Sequence, residues 1–398
     1  MTDPWEEFAS RAAGAETAGY FERSAGLGRG PGIAVSFTRA EEVRTLSPRS
    51  DLEALARDSN RFLERGGQRA VIGYAGFDAV GLIEPALSRF PAGSPFPLGE
   101  FAWVCDPVVR RVGPTGRTDP SPVRRIPRPE RDSLPRAHFE ASVRRLQRDI
   151  RNGETFQTVL AHRRTWPRPD DLVTRAGDLR SSERFAYFYY LRFGDREIVG
   201  ATPESVVEIE GRRARVDPIA GTTWDAPARS RRPPLAVDPK ELAEHRMLVD
   251  LARNDLGQVA RPGSVRLAWR ERTVRYARLA HLVSRVVADL RPGVGPWEAL
   301  AATFPAGTVS GAPKIRATEL LRREEGSWRG PYAGAVGLLR PGGRGDWALA
   351  IRTGFAAGRS LHTAAGAGIV YRSDPAQEFE ETLTKLSHLE SVLVGGPR

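Results

Sequence analysis

The order in which secondary-structure signals follow one another constrains this chain most. Runs rich in β-branched and aromatic residues, 156–161, 185–193, 198–201 and 206–216, succeed one another as short strands, with Gly211 placed to turn a hairpin. Helical patterns follow near 239–254, 296–303, 313–325 and 375–393, and a strand pair, 333–340 and 347–356, is joined by Pro341-Gly342-Gly343. Hairpins followed by helices indicate an α+β fold. Strict βαβ alternation, G-x-G-x-x-G after a first strand, a P-loop and any repeat of roughly 20–50 residues are all missing, which argues against the nucleotide-binding folds.

Three regions follow from the pattern. Residues 1–112 mix short apolar runs with turn signals, including strands at 71–77 and 101–104. Residues 113–136 hold Pro120, Pro122, Pro127, Pro129 and Pro135 among arginines and read as a connector. Residues 137–398 begin with Phe139, Val143, Leu146 and Ile150 at helical spacing, a helix that Asn152-Gly153 can end.

Composition removes several function classes. A lone cysteine, Cys105, cannot form an internal disulfide or a zinc cluster, and no apolar run approaches the roughly 18 residues of a membrane helix. The start, Met1-Thr2-Asp3-Pro4-Trp5-Glu6-Glu7, lacks the basic-then-apolar order of an export signal, so a reducing cytoplasm is the expected location. The net charge of +11 raises the reading of an Arg-rich, non-catalytic nucleic-acid binder, yet the arginines are scattered and interleaved with acids, and no nucleic acid or membrane is expected as a partner. Only Lys240, Lys314 and Lys385 break the use of arginine. Either chance placed them, or tight sites there need a compact ammonium rather than a planar fork.

Two acidic helices carry the strongest internal signal. Glu241 and Glu244 lie three apart on one, Glu378 and Glu381 on the other, with Lys385 one turn later. Two such pairs can cage a hard divalent cation such as Mg²⁺, or they are two solvated helix faces. The hydroxyl-rich run from Thr303 to Lys314 ends where a helix begins, and its N–H groups can hold a carboxylate. Ala364-Ala365-Gly366-Ala367-Gly368-Ile369 reads as a close-approach loop or a tight turn. Arg352, inside the apolar strand 348–353, is either a bidentate carboxylate clamp or half of an internal salt bridge.

Together these residues resemble the chorismate-utilising enzymes, and within them the large subunits of anthranilate synthase and aminodeoxychorismate synthase. The resemblance runs from about Phe139 to Leu393, and weakly through Gly73-Tyr74-Ala75-Gly76-Phe77-Asp78 upstream. It rests on Gly153-Glu154-Thr155-Phe156-Gln157, Thr202-Pro203-Glu204, Pro218-Ile219-Ala220-Gly221-Thr222, Lys240 to Leu256, Phe304 to Lys314, and Phe379-Glu380-Glu381-Thr382-Leu383-Thr384-Lys385. It implies two stacked, mostly antiparallel sheets flanked by helices, with 1–112 a reduced regulatory or structural part. It further implies Mg²⁺ held mainly by Glu244 and Glu381, helped by Glu241 and Glu378, and chorismate bound through that metal. The enolpyruvyl carboxylate would meet Arg352, Tyr332 and the Gly366 and Gly368 backbone, with Lys385 near the metal. Glu204 matches the general acid for the departing C4 hydroxyl, His281 a histidine near the ring, and Thr222 and Thr308 pocket hydroxyls.

Two positions narrow the nucleophile within that resemblance. Gln157 stands where water-using relatives carry a lysine base, and glutamine cannot remove a proton at neutral pH. Ala220 stands where many aminodeoxychorismate synthases carry an attacking lysine, and alanine offers no nucleophile. Ammonia adding at C2 is thus expected, giving anthranilate after pyruvate loss. Release of 2-amino-2-deoxyisochorismate and amination at C4 are the alternatives. Cys105 has no glycine-flanked elbow, so the ammonia would come from a separate glutamine amidotransferase subunit. Thr223-Trp224 replace the arginine the family usually places after the Gly-Thr pair.

Overall fold

The strand Tyr187–Phe193 shows how the layers are built. Its odd residues Tyr187, Tyr189, Leu191 and Phe193 enter one core, and its even residues Phe188 and Tyr190 enter another, because successive side chains in a strand point to opposite faces. A strand covered on both faces has no polar alternation, which is why this stretch is almost wholly apolar.

A computed structural model describes residues 3–25, 31–113, 125–224, 239–276 and 279–396. Two antiparallel sheets face each other. The first runs in the order Gly311–Ala312, Gln157–Pro167, Ser360–Ile369, Thr353–Ala357, Arg196–Thr202, Tyr187–Phe193, Thr17–Arg23, Gly32–Phe37, Val108–Val112, with Arg131–Asp132 beside Gln157–Pro167. The second runs Ile219–Trp224, Leu279–Asp289, Arg213–Val216, Ser205–Glu210, Arg344–Leu349, Ala335–Arg340, Arg69–Ala75, Gly99–Cys105, Glu42–Leu46, with Arg266–Tyr276 beside Leu279–Asp289. The largest core fills the space between them and continues over the other face of the second sheet to Phe62 and Trp297.

Helices cover the outer faces. α1 (Pro4–Ala12) and α2 (Leu52–Leu63) come from the first third of the chain, followed by the single turn α3 (Val80–Ile83). α4 (Arg136–Arg151), α5 (Leu172–Ser182), α6 (Pro239–Gly257), α7 (Pro296–Thr303), α8 (Lys314–Glu325) and α9 (Pro375–Leu393) follow. α4, α8 and α9 share an apolar cluster with the strands Gln157–Pro167 and Ser360–Ile369. α4 ends at Asn152, with Gly153 at φ +81°, as its sequence predicts. No helix among the described residues is long and apolar enough to cross a membrane.

Three expectations change. Strands from 1–112 complete both sheets by pairing with strands of 137–398, so the regions share their cores; within the connector, 114–124 lies outside the described residues. The expected strand 347–356 is two strands, one in each sheet. The segment Ala364 to Ile369 is strand, not loop, and sits inside the first sheet.

Two crossings between the sheets position the site. The chain passes from the first sheet to the second between Thr202 and Ser205, and returns between Leu349 and Thr353. The crossings bond to one another, Leu349 N–H to Glu204 O at 3.0 Å and Ala201 N–H to Arg352 O at 3.3 Å.

Candidate active site

Glu204 lies on the first crossing and is 7% exposed. The Thr308 hydroxyl donates to its Oε1 at 2.7 Å. Burial pushes the Glu204 carboxyl up to about 7, while the Thr308 bond, which favours the carboxylate, acts against it. Near neutrality the group therefore holds a proton it can give away. A cavity of about 30 Å³ beside it is lined by Thr303, Gly307, Thr308, Leu248, Leu251 and Asp255, room for about one water.

Across the site, Gln157 begins its strand and its Nε2 donates to Glu244 Oε1 of α6 at 3.2 Å. Gln157 Oε1 is buried without a hydrogen-bond partner among the described residues. Gly368 makes room for that amide: a Cβ there would fall 2.7 Å from Gln157 Nε2. Two residues away on the same strand face, Gly366 donates its N–H to the buried Tyr332 hydroxyl, and its carbonyl accepts from Lys385 Nζ at 2.9 Å. Lys385 also pairs with Glu381 at 2.7 Å, one turn back on α9. Gln157, Glu244, Gly366, Gly368, Tyr332, Lys385 and Glu381 are thus joined by direct contacts.

Arg352 is not inside a strand. It occupies the second crossing at φ +50°, and its Nη1 lies 3.3 Å from Glu183 Oε2, so the internal salt bridge is the contact present. Lys314 likewise turns inward: its ammonium meets Asp255 Oδ2 of α6 at 3.0 Å and Thr303 O at 3.2 Å, tying α8 to α6 rather than standing open at a helix start. His281 is buried in the strand Leu279–Asp289, opposite Thr222. Ala220, Gly221 and Thr222 belong to the strand Ile219–Trp224 and Glu241 to α6, but their side chains lie outside the described ones. Glu378 stands in the first turn of α9.

Sequence reading missed a buried group beneath the site. Arg329 is 4% exposed, pairs with Glu325 at 2.5 Å, and donates to Val309 O and Val159 O at 2.7 and 2.6 Å. Asp78 accepts from the Arg329 and Gly330 N–H groups at 3.1 and 2.8 Å. The i, i+4 spacing of Glu325 and Arg329 was visible in the sequence. Gly326 caps α8 between them, so the pair forms beyond the helix and not along it.

The carboxylates suit a Mg²⁺ ion in one respect and leave another open. No group of three or more His, Cys, Asp or Glu gathers around a point among the described residues. Mg²⁺ commonly takes only one or two protein carboxylates and shares the rest of its shell with water and an anionic substrate. Glu244 and Glu381 flank the Gly366–Gly368 stretch through Gln157 and Lys385, and the unpartnered Gln157 oxygen adds a further donor beside Glu244.

A sequence model described as chorismate binding enzyme matches residues 15–391. Over 261 residues the chain is 45% identical to anthranilate synthase component 1 of Streptomyces coelicolor, covering 64% of this chain and 50% of that protein. Anthranilate synthase component 1 of Lactococcus lactis is 40% identical over 258 residues, covering 64% and 57%. The matched part thus spans about half the length of these curated relatives. The crystal structure of anthranilate synthase component I from Streptococcus pneumoniae superposes with a TM-score of 0.74 at 28% identity, covering 93% of this chain and 90% of that one. A putative 2,3-dihydroxybenzoate-specific isochorismate synthase from Bacillus anthracis gives 0.78 at 19% identity, covering 98% and 100%, a likeness of fold alone.

Proposed function

The chain belongs to the chorismate binding enzymes, and on that premise we propose that it aminates chorismate at C2 and eliminates pyruvate to form anthranilate. The observation that carries this reading is Glu204, a buried carboxyl pushed up to about 7 and oriented by Thr308. Such a group can protonate a leaving hydroxyl at neutral pH.

In the proposed sequence ammonia forms the N–C2 bond, the ring double bonds shift, and the C4–O bond breaks. The departing hydroxyl takes the Glu204 proton and leaves as water, and the carboxylate so formed accepts the proton that the new ammonium sheds. The C2 proton is then lost and the enolpyruvyl C3–O bond breaks, giving anthranilate and enolpyruvate, which gains one proton at its methylene carbon to become pyruvate. The Gln157 amide cannot act as a base, but its unpartnered oxygen can accept an N–H from incoming ammonia. His281 and Thr222 would border the ring, with Ala220 and Gly221 leaving space beside it. Arg352, Tyr332, Gly366, Gly368 and Lys385 would hold the carboxylates.

Glu244 and Glu381, with Glu241 and Glu378 on the same helices, would hold Mg²⁺, which supplies positive charge against the ring carboxylate. Ammonia would be delivered by a separate glutamine amidotransferase subunit, since Cys105 donates to Glu41 at 2.7 Å, which pushes its thiol pKa up and makes it a poor nucleophile.

The test is incubation of the purified chain with chorismate, Mg²⁺ and concentrated ammonium at alkaline pH, with products identified by fluorescence and mass. Anthranilate plus pyruvate supports the proposal. An aminated product that keeps its enolpyruvyl group overturns the elimination step, and the ring position of its amine then distinguishes C2 from C4 chemistry.

A further inference from the structure

Arg329 touches two walls of the site at once. Its Nη1 holds the carbonyl of Val309, the residue after Thr308, and its Nη2 holds the carbonyl of Val159, two residues from Gln157 and on the same strand face. The short strand Gly311–Ala312 pairs with the edge of Gln157–Pro167 at Gln157 and Thr158, and Ser310 O accepts from Val159 N–H at 3.0 Å. Just beyond, Arg329 takes Val159 O, and Glu325 Oε1 accepts from Ala161 N–H at 3.0 Å. The guanidinium is itself fixed by Glu325 through Nε at 2.8 Å and by the Phe77 ring 4.3 Å away. Three residues on, the same loop delivers Tyr332.

A planar fork of five N–H donors can hold two carbonyls and a carboxylate at fixed angles, which a pivoting ammonium cannot. We propose that Arg329 is a positioning residue that fixes the spacing between the Thr308–Glu204 wall and the Gln157 wall, so that the acid and the amide address opposite parts of one substrate. This rests on the reading of Glu204 as the general acid.

The bond that transmits the effect is the Thr308 hydroxyl to Glu204. Around Glu204, α6 supplies Asp255 across the small cavity and α8 supplies Lys314, which pairs with Asp255. The segment 303–308 adds only hydroxyl and apolar groups to that cavity. When Val309 loses its anchor, Thr308 withdraws, the carboxylate loses its donor, and the acid releases its proton at higher pH.

The experiment measures kcat and KM against pH for R329K, T308V and the double variant, with ammonium as nitrogen source. For R329K, kcat is expected to fall about tenfold or more with KM for chorismate within about twofold. The alkaline limb should move up by about half a pH unit, and R329K should add no further shift on top of T308V. An unmoved limb, with kcat falling only in proportion to the folded fraction, overturns the proposal. Should R329K fail to fold, E325Q keeps the guanidinium, removes its charged anchor and is read in the same way. E204Q separates the two claims. An inactive E204Q beside an unmoved R329K limb overturns the positioning role alone, whereas an active E204Q overturns the acid and the positioning role together.

Discussion

Gln157 and Gly368 are so close that the space of one methyl group separates two arrangements of the site. A Cβ at Gly368 would stand 2.7 Å from Gln157 Nε2 and 3.9 Å from Glu244 Oε1. The atom it meets is the far end of a side chain, so the strand can stay in place while the amide swings away.

Gly368→Ala is therefore expected to cost activity rather than stability. Moving the Gln157 amide off Glu244 should lower ammonium-dependent kcat by about tenfold or more, with the thermal midpoint within a few degrees of the parent. Kinetics and a melting curve on the same sample check both halves, and a large drop in midpoint with unchanged kcat would contradict the expectation.

Glu204→Gln separates stability from catalysis. Burial raises the folded-state pKa from the ordinary 4.5 to about 7, so the folded chain binds this proton more tightly than the unfolded chain does. The stabilisation from the protonated group is complete below the unfolded value and is lost as pH rises toward the folded one. A neutral glutamine avoids that loss. The variant should be inactive, equal in stability to the parent near pH 4, and more stable above pH 7 by roughly 3 kcal/mol. Urea midpoints across that range decide it.

Glu381→Gln should abolish Mg²⁺-dependent turnover, because it removes one of two carboxylates beside the Gly366–Gly368 strand and frees the Lys385 ammonium that now pairs with it at 2.7 Å. Titration of Mg²⁺ by calorimetry in the presence of chorismate gives a readout besides rate. Unchanged turnover and unchanged Mg²⁺ affinity would remove Glu381 from the ligand set.

Arg352 offers a comparison between its two roles. As a carboxylate clamp it must leave Glu183, 3.3 Å away, when substrate arrives. Arg352→Gln should then raise KM for chorismate by about tenfold or more, while Glu183→Gln, which releases the guanidinium, should leave KM equal or lower. If both substitutions only lower the melting midpoint, the salt bridge is the whole of the role.

Elements whose signal is local were legible in the sequence. α4 and α9 follow from helical spacing, and the Gly211 hairpin from a glycine at φ +62° between two β-rich runs. The split at Arg352 was not legible: neither glycine nor proline stands at 350–352, where the chain leaves one strand for the next, and the break exists because each half pairs within a different sheet. Gly366 and Gly368 read as a loop because glycine weakens strands. In the strand their neighbours leave little room for a side chain: Val159 Cγ1, Leu160 O and the Tyr332 hydroxyl crowd Gly366, and the Gln157 amide crowds Gly368. Of the site, Glu381 and Lys385 stood out by helical spacing, whereas Glu204, Gln157 and Tyr332 came from motif resemblance, and the structure supplied contacts such as Thr308 to Glu204 and Lys385 to Glu381. Arg329 carried no motif signal, since its importance lies in backbone groups far away in the chain.

The interleaving of the first third of the chain with both sheets bears on how the protein is made. Thr17–Arg23 pairs with Gly32–Phe37 on one edge but finds its other partner in Tyr187–Phe193, and Arg69–Ala75 pairs with Gly99–Cys105 but finds its other partner in Ala335–Arg340. At ordinary elongation speeds the last of those partners leaves the ribosome on the order of ten seconds or more after the first third has emerged. Until its distant partner emerges, one edge of each of these strands stands open. The nascent chain must be shielded through that interval, and fragments ending before residue 335 should collect as aggregates and not as a smaller folded protein.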